Sequence, residues 1–136
     1  MIGVYVRVSS TSQDTKAQEH ELKRWAAGQR AEVKWYRDTF TGTTLERPGL
    51  EKLLADVRNE VFEFLDKHKF SFVRSESNKF MLDVKQPGQQ FVRAMAAEKI
   101  YVGRVWPAWP NHVRVTIGTR EEMAKFRTAL LKVMQA

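Results

Sequence analysis

Ser9 stands two residues after Arg7 in the string Tyr5-Val6-Arg7-Val8-Ser9-Ser10, and a second arginine opens the later string Arg47-Pro48-Gly49-Leu50. A serine hydroxyl that attacks phosphorus needs positive charge around the transferred phosphoryl group, and guanidinium forks supply it by binding phosphate oxygens bidentately. Taken alone, Ser9 and Arg7 read as the polar end of a strand. Other site chemistries find little material. The chain has no cysteine, which excludes disulfides, thiolate metal sites and cysteine nucleophiles. Its histidines, His20, His68 and His112, lie too far apart to suggest a zinc site, so no metal is predicted. Lysines such as Lys79 and Lys99 read as solvated surface residues, and Trp106 and Trp109 as packing or loop-anchoring aromatics.

The elements that would have to position Ser9 and the arginines follow from the hydrophobic pattern. Ile2 to Val8 is a β-branched run ending in the polar cluster Ser9 to Ser12, the pattern of a strand that stops where a helix begins. Ala17, Leu22, Trp25 and Ala26 give residues 12–28 a helical spacing that Gly28 ends, and Glu32 to Arg37 reads as a second strand. Strand, helix and strand within so short a stretch make a βαβ unit with parallel strands. Asp38 to Glu46, rich in threonine, reads as a loop. Pro48 then sits in the first turn of a long helix over residues 47–68, on which Leu50, Leu53, Leu54, Val57, Val61, Phe64 and Leu65 form one stripe.

Beyond that helix, Phe70 to Arg74 and Phe80 to Val84 are short predicted strands, and Pro87 starts a helix carrying Phe91, Val92 and Met95. Ile100 to Val105 and His112 to Ile117 are two more predicted strands, separated by the loop Trp106 to Pro110. Thr119 and Glu122 form a capping-box pattern at the head of a last helix, lined by Met123, Phe126, Leu130, Val133 and Met134. The expected fold is α/β, with an α+β-like C-terminal part: a single domain of order β-α-β-α-β-β-α-β-β-α. The alternative is two small lobes sharing the residue 47–68 helix, about 33 Å long at 1.5 Å per residue.

A length of 136 residues suits one ordinary core, and 43% hydrophobic with 29% charged residues is a globular composition. No apolar run is long enough to span a membrane and the N-terminus lacks a secretion-signal layout, so a cytoplasmic protein is expected. The net charge of +7 invites a nucleic-acid reading. The excess is uneven, however, with ten basic against eight acidic residues over 1–58 and thirteen against eight over 59–136. That distribution predicts only weak, non-specific nucleic-acid association.

Tyr5-Val6-Arg7-Val8-Ser9-Ser10, Gln13, Gln18, Asp38, Thr41-Gly42 and Glu46-Arg47-Pro48-Gly49-Leu50 together resemble the start of the catalytic domain of resolvase/invertase-type serine recombinases, over residues 1–58. The resemblance places Ser9 at the nucleophile position that links covalently to DNA, and Arg7 and Arg47 where they would hold the scissile phosphate. It makes Gln13, Gln18, Asp38 and Thr41 supporting positions. The family continues with a third core strand, further catalytic arginines, a dimerisation helix and a DNA-binding domain, and residues 59–136 do not continue that pattern.

Residues 59–136 instead resemble the C-terminal small domain of fold-type I pyridoxal-phosphate-dependent aminotransferases of the histidinol-phosphate type. The carriers are Ser77-Asn78, Gly103-Arg104, Trp106-Pro107 and the run from His112 to Met123. The resemblance implies that Arg114 holds a substrate carboxylate, a role its planar five-donor fork suits better than a lysine does. The large domain that supplies the cofactor lysine has no counterpart in these residues, so no cofactor is expected.

The seam falls near Arg58-Asn59, inside the long helix, and the apolar stripe crosses it in register, although each residue of offset would turn the stripe by about 100°. The expectation is a chimera, engineered, recombined or computationally generated, forming one folded scaffold with no inherited catalysis and no specific partner. A homodimer through apolar faces left over from the parents is a further expectation. The alternative is a truncated serine recombinase that keeps phosphate binding or partial strand cleavage through Ser9.

Overall fold

The computed structural model describes residues 1–9, 14–40 and 47–135. Its secondary structure is mixed α/β, in the order β1 (Ile2–Ser9), α1 (Asp14–Ala27), β2 (Val33–Phe40), α2 (Pro48–Lys67), β3 (Ser71–Val73), β4 (Lys79–Asp83), α3 (Gly88–Ala97), β5 (His112–Thr116) and α4 (Arg120–Gln135). The chain packs as two compact units, Met1–Leu53 and Leu54–Ala136, and their boundary lies within α2. It is therefore the helix, rather than a linker, that the two share.

In the first unit β1 and β2 run parallel, with Val4 opposite Trp35, Tyr5 opposite Tyr36 and Arg7 opposite Asp38. Partners across a ladder share a face of the sheet. One face carries Val4 and Val6 with Trp35 and Arg37, and α1 lies on it, tied by an ion pair of 3.3 Å between Arg37 and Glu19. The other face carries Tyr5, Arg7, Tyr36 and Asp38. Tyr36 and Asp38 are buried there. β2 runs on through Asp38 to Phe40, into the stretch expected to be loop. Asp38 stays in the strand because its carboxylate is bonded to the head of α2, as described below.

The second unit is an antiparallel sheet of order β3-β4-β5, packed with the C-terminal half of α2 and with α3 and α4. Phe80, Leu82, Val113 and Val115 alternate inward along β4 and β5. On α2, Val57, Val61 and Leu65 are buried as the stripe predicts, but Leu54 and Phe64 are only half-buried and Phe62 is buried instead. Phe62 is drawn in by aromatic neighbours, with ring centroids 4.9 Å from Phe72 and 5.3 Å from Phe80. Two ion pairs hold this half of α2: Glu60 accepts from Arg120 at 2.8 Å, and Arg58 donates to Glu76 at 3.2 Å. The capping box forms as its spacing requires, the Thr119 N–H donating to Glu122 (2.8 Å) and the Glu122 N–H to the Thr119 hydroxyl (3.2 Å).

Ile100 to Val105, expected to be a strand, forms none. The cause is the way α3 ends. The Ile100 N–H donates to the Met95 carbonyl and the Lys99 N–H to the Ala96 carbonyl, with Lys99 at φ 62°. This is a left-handed helix cap, which holds Ile100 back on α3. A single backbone bond, from the Gly103 N–H to the Arg114 carbonyl (2.7 Å), ties the segment to β5. The next loop is tight: Trp106 and Trp109 bridge each other, and the Gly88 N–H donates to the Pro110 carbonyl at 2.8 Å.

Candidate functional site

Three of the residues that could surround a phosphoryl group belong to the first unit's sheet face and the head of α2. Asp38 is 6% exposed, and both of its oxygens are engaged. Oδ1 accepts the Gly49 N–H at 2.7 Å; Oδ2 accepts the Leu50 N–H at 3.2 Å and the Tyr5 hydroxyl at 2.9 Å. Those N–H groups belong to the first turn of α2, where no partner exists within the helix, so Asp38 caps α2 from β2. Burial works against the ionised carboxylate, but the Gly49 N–H, the Tyr5 hydroxyl, the Leu50 N–H and the Arg47 charge together outweigh it and hold the Asp38 pKa below its usual value.

Arg47 turns to the same cluster. Its guanidinium lies 5.6 Å from the centroid of the Tyr5 ring and donates to the Tyr5 oxygen at 3.3 and 3.4 Å. Gly49 fits so closely that a Cβ there would stand 2.8 Å from the Arg37 carbonyl oxygen and 2.9 Å from its nitrogen. Tyr5, Gly49 and Leu50 are the members of this cluster that sequence reasoning did not place in the site. The signal was present only as motif letters, because Tyr5 is 33 residues from Asp38 and 42 from Arg47.

The remaining recombinase-type positions divide. Arg7 is exposed on β1 opposite Asp38. Ser9 is the last residue of β1 and pairs with Phe40, while its side chain lies outside what the structure describes. Gln13 and Thr41 lie outside the described residues altogether. Gln18 is on α1, where it lines a surface recess of about 460 Å³ with Glu21, Leu22 and Trp25, and no described contact joins it to Tyr5, Asp38 or Arg47.

In the second unit Arg114 sits on β5 opposite Met81, half-buried. Its guanidinium carbon is 5.7 Å from the Trp106 ring, and that of Arg104 is 5.1 Å from the same ring. Trp106 is thus a platform for two arginines, a more specific form of the anchoring aromatic that its loop position suggests. Arg114 Nε is buried with no hydrogen-bond partner, and a Cβ on Gly103 would come within 3.0 Å of it. Glycine at 103 lets the backbone close over the arginine.

The model of the "Resolvase, N terminal domain" family matches residues 2–71, half of the chain. The chain belongs to that family. The chain also resembles proteins of a different kind. The chain is 35% identical over 74 residues to histidinol-phosphate aminotransferase 2 of Haemophilus influenzae, covering 54% of this chain and 20% of that protein. It is 33% identical over 100 residues to histidinol-phosphate aminotransferase 2 of Pasteurella multocida, covering 71% and 25%. Among solved structures, a protein from Erwinia carotovora atroseptica assigned as a histidinol-phosphate aminotransferase superposes with a TM-score of 0.57 at 23% identity, over 62% of this chain and 24% of that one. At that identity the likeness is one of fold. The chain spans between a fifth and a quarter of the aminotransferases it matches. A 74-residue match is longer than the stretch remaining after residue 71, so the resolvase-type and aminotransferase-type likenesses overlap. The origin of this resolvase-family chain is mixed.

A cap worked this way has a pH signature. An aspartate whose pKa is lowered in the folded chain adds stability that is complete above the ordinary carboxylate pKa of about 4 and is lost as pH falls through the lowered folded value. Asp38→Asn is therefore expected to lower the thermal midpoint most above about pH 5, with the gap to wild type closing in acid. A gap of constant size from neutral pH to acid would remove the carboxylate's charge from the account.

Proposed function

We propose that these residues form a non-catalytic scaffold in which a resolvase-type βαβ piece and an aminotransferase-type small-domain piece share helix α2 as one folding unit. An engineered or recombined origin accounts for two unrelated likenesses meeting in one helix that keeps its register. The observation that carries the reading is the commitment of Asp38 and Arg47. Asp38 has both oxygens on Gly49, Leu50 and Tyr5, and Arg47 is stacked on Tyr5, so both act in the architecture at the head of α2. An electrostatic cradle loses a factor of about 10² to 10³ in rate for each donor withdrawn.

Aminotransferase chemistry fits these residues no better. A lysine that forms an imine with pyridoxal phosphate needs a desolvated amine beside the cofactor. The described lysines of the second unit, Lys79 and Lys99 among them, are all exposed. Arg114 lies against the Trp106 ring, and no such amine is beside it among the described residues.

A second reading rests on a specific observation. Arg7 is exposed on β1, two positions before Ser9, and Arg47 is exposed as well, which favours a truncated recombinase that still engages DNA phosphate through Ser9. Incubation with supercoiled plasmid and with a resolvase-site duplex separates the two. The scaffold reading expects no covalent protein–DNA band and only salt-sensitive, sequence-independent association in the ~10⁻⁴ to 10⁻⁶ M class. A covalent band that disappears in Ser9→Ala would establish the second reading and end the first.

A further inference from the structure

The hydrogen-bond pattern of β5 leaves the Thr116 end of its outer edge open. In an antiparallel pair, successive residues direct their backbone groups alternately to the two sides. The Ile117 N–H donates to Asn78, toward β4, so Thr116 directs its N–H and C=O away from β4. The other outward positions on β5 are each tied by one backbone bond: the His112 N–H donates to the Trp109 carbonyl, and the Arg114 carbonyl accepts from Gly103. Continuing the ladder from Gly103–Arg114 would set Tyr101 against Thr116, yet among the described residues no bond joins them and none engages the Thr116 backbone otherwise.

The gap is a slot of about 440 Å³ between residues 99–103 and the end of β5. Val115, Met123 and Phe126 form its apolar floor, with α4 along one side. Tyr101 stands at its mouth with a side chain 84% exposed. The cap on α3 prevents residues 99–103 from closing it, because Ile100 is bonded back to Met95. The slot is lined by two lysines, Lys99 and Lys125, against one carboxylate, Glu122. Lys125 is paired with Glu121 and Glu122 accepts the Thr119 N–H, whereas Lys99 makes no ion pair among the described residues and is the cation left to meet a ligand.

We infer that this slot is a docking site for an extended acidic peptide. Its backbone completes the ladder at Thr116, a β-branched or other apolar side chain fills the floor, and a carboxylate meets Lys99. Main-chain bonds to an open strand edge give such a site its affinity, and the pocket beneath gives it selectivity. Neither likeness of the chain is needed for this inference, which rests on the β5 edge alone.

A blocked, fluorescein-labelled hexapeptide of alternating glutamate and valine is the probe, with its lysine–valine counterpart as control. Amide exchange of the full chain is followed with and without it. Thr116 is expected to exchange freely in the unliganded protein and at least tenfold more slowly with the acidic peptide. Lys99→Glu should weaken binding roughly tenfold, the cost of losing one charge-assisted contact. Thr116→Pro should abolish binding while keeping the β4–β5 ladder, since proline at 116 removes only an outward N–H. Should that variant fail to fold, the Lys99→Glu titration and the exchange data decide. Protection of Thr116 in the free protein, equal binding of the lysine peptide, or no binding of the acidic one would each overturn the proposal.

Discussion

Val61→Asp is expected to unfold the Leu54–Ala136 unit. Val61 is 0% exposed on α2, in the core that also holds Phe62, Leu65, Phe91 and Leu130. An aspartate there would be a buried carboxylate with no partner on hand, at a cost of several kcal/mol. A whole small domain is stable by only about 5–15 kcal/mol. The near-ultraviolet circular dichroism from Phe80, Phe91 and Phe126 should collapse, and no cooperative thermal transition should remain. Exposed Glu63, two residues along the same helix, is the control, and Glu63→Asp should leave the stability within about 0.5 kcal/mol of wild type. If Val61→Asp kept the wild-type midpoint, α2 would not be the core helix described above.

Gly49→Val is the second large effect. A β-carbon at that position would stand 2.8 Å from the Arg37 carbonyl oxygen and 3.0 Å from its carbonyl carbon, and these are strand backbone atoms that cannot swing aside. Overpacking alone costs about 1–3 kcal/mol. Lifting the first turn of α2 off β2 would also strip Asp38 of its Gly49 and Leu50 donors and leave a buried carboxylate short of partners. Urea unfolding followed by the fluorescence of Trp25 and Trp35 should show a much lower midpoint. Gly28→Val should move it little, because a β-carbon there would meet only the Trp25 carbonyl oxygen, at an ordinary 3.5 Å. Equal behaviour of the two variants would show that the α2–β2 approach is not tight.

Much of this architecture was legible because its signals are local. The β-branched run of β1, the proline that opens α2 and the Thr119–Glu122 box are all short-range signals, and each formed where the pattern placed it, while the α2 stripe held at Val57, Val61 and Leu65. Ile100 to Val105 misled for a reason that is also local but competes with composition. Its β-branched residues favour a strand, while the preceding Lys99 adopts the left-handed conformation that ends α3 and holds Ile100 away from β5. Phe62 was missed because its burial depends on Phe72 and Phe80, which no helical periodicity reports.

The site was legible in its residues but not in their roles. Asp38 and Arg47 each bond the Tyr5 hydroxyl, and Asp38 also bonds the first turn of α2. The Thr-rich, Gly-containing stretch that follows Asp38 favours a loop, and only a cap reaching across 11 residues shows why the strand continues. Arg104 and Arg114 share Trp106 for a similar reason: the tight turn between Trp106 and Trp109 brings back a loop that the sequence leaves open.

If α2 joins the resolvase-type and aminotransferase-type pieces into one folding unit, as proposed, the first unit cannot stand without it. The described core of the first unit holds three buried apolar side chains, Val4, Val6 and Tyr36, too few to offset the ordering of a β-α-β piece. Its stability should therefore depend on an intact α2. Hydrogen exchange of the Tyr5 and Val6 amides in Val61→Asp tests this most directly. Both are expected to lose protection together with the amides of β4 and β5, although Val61 lies outside the unit that contains them. Wild-type protection at Tyr5 and Val6 in a variant whose second unit has unfolded would contradict it, and would make the chain two independent folds that merely share a helix.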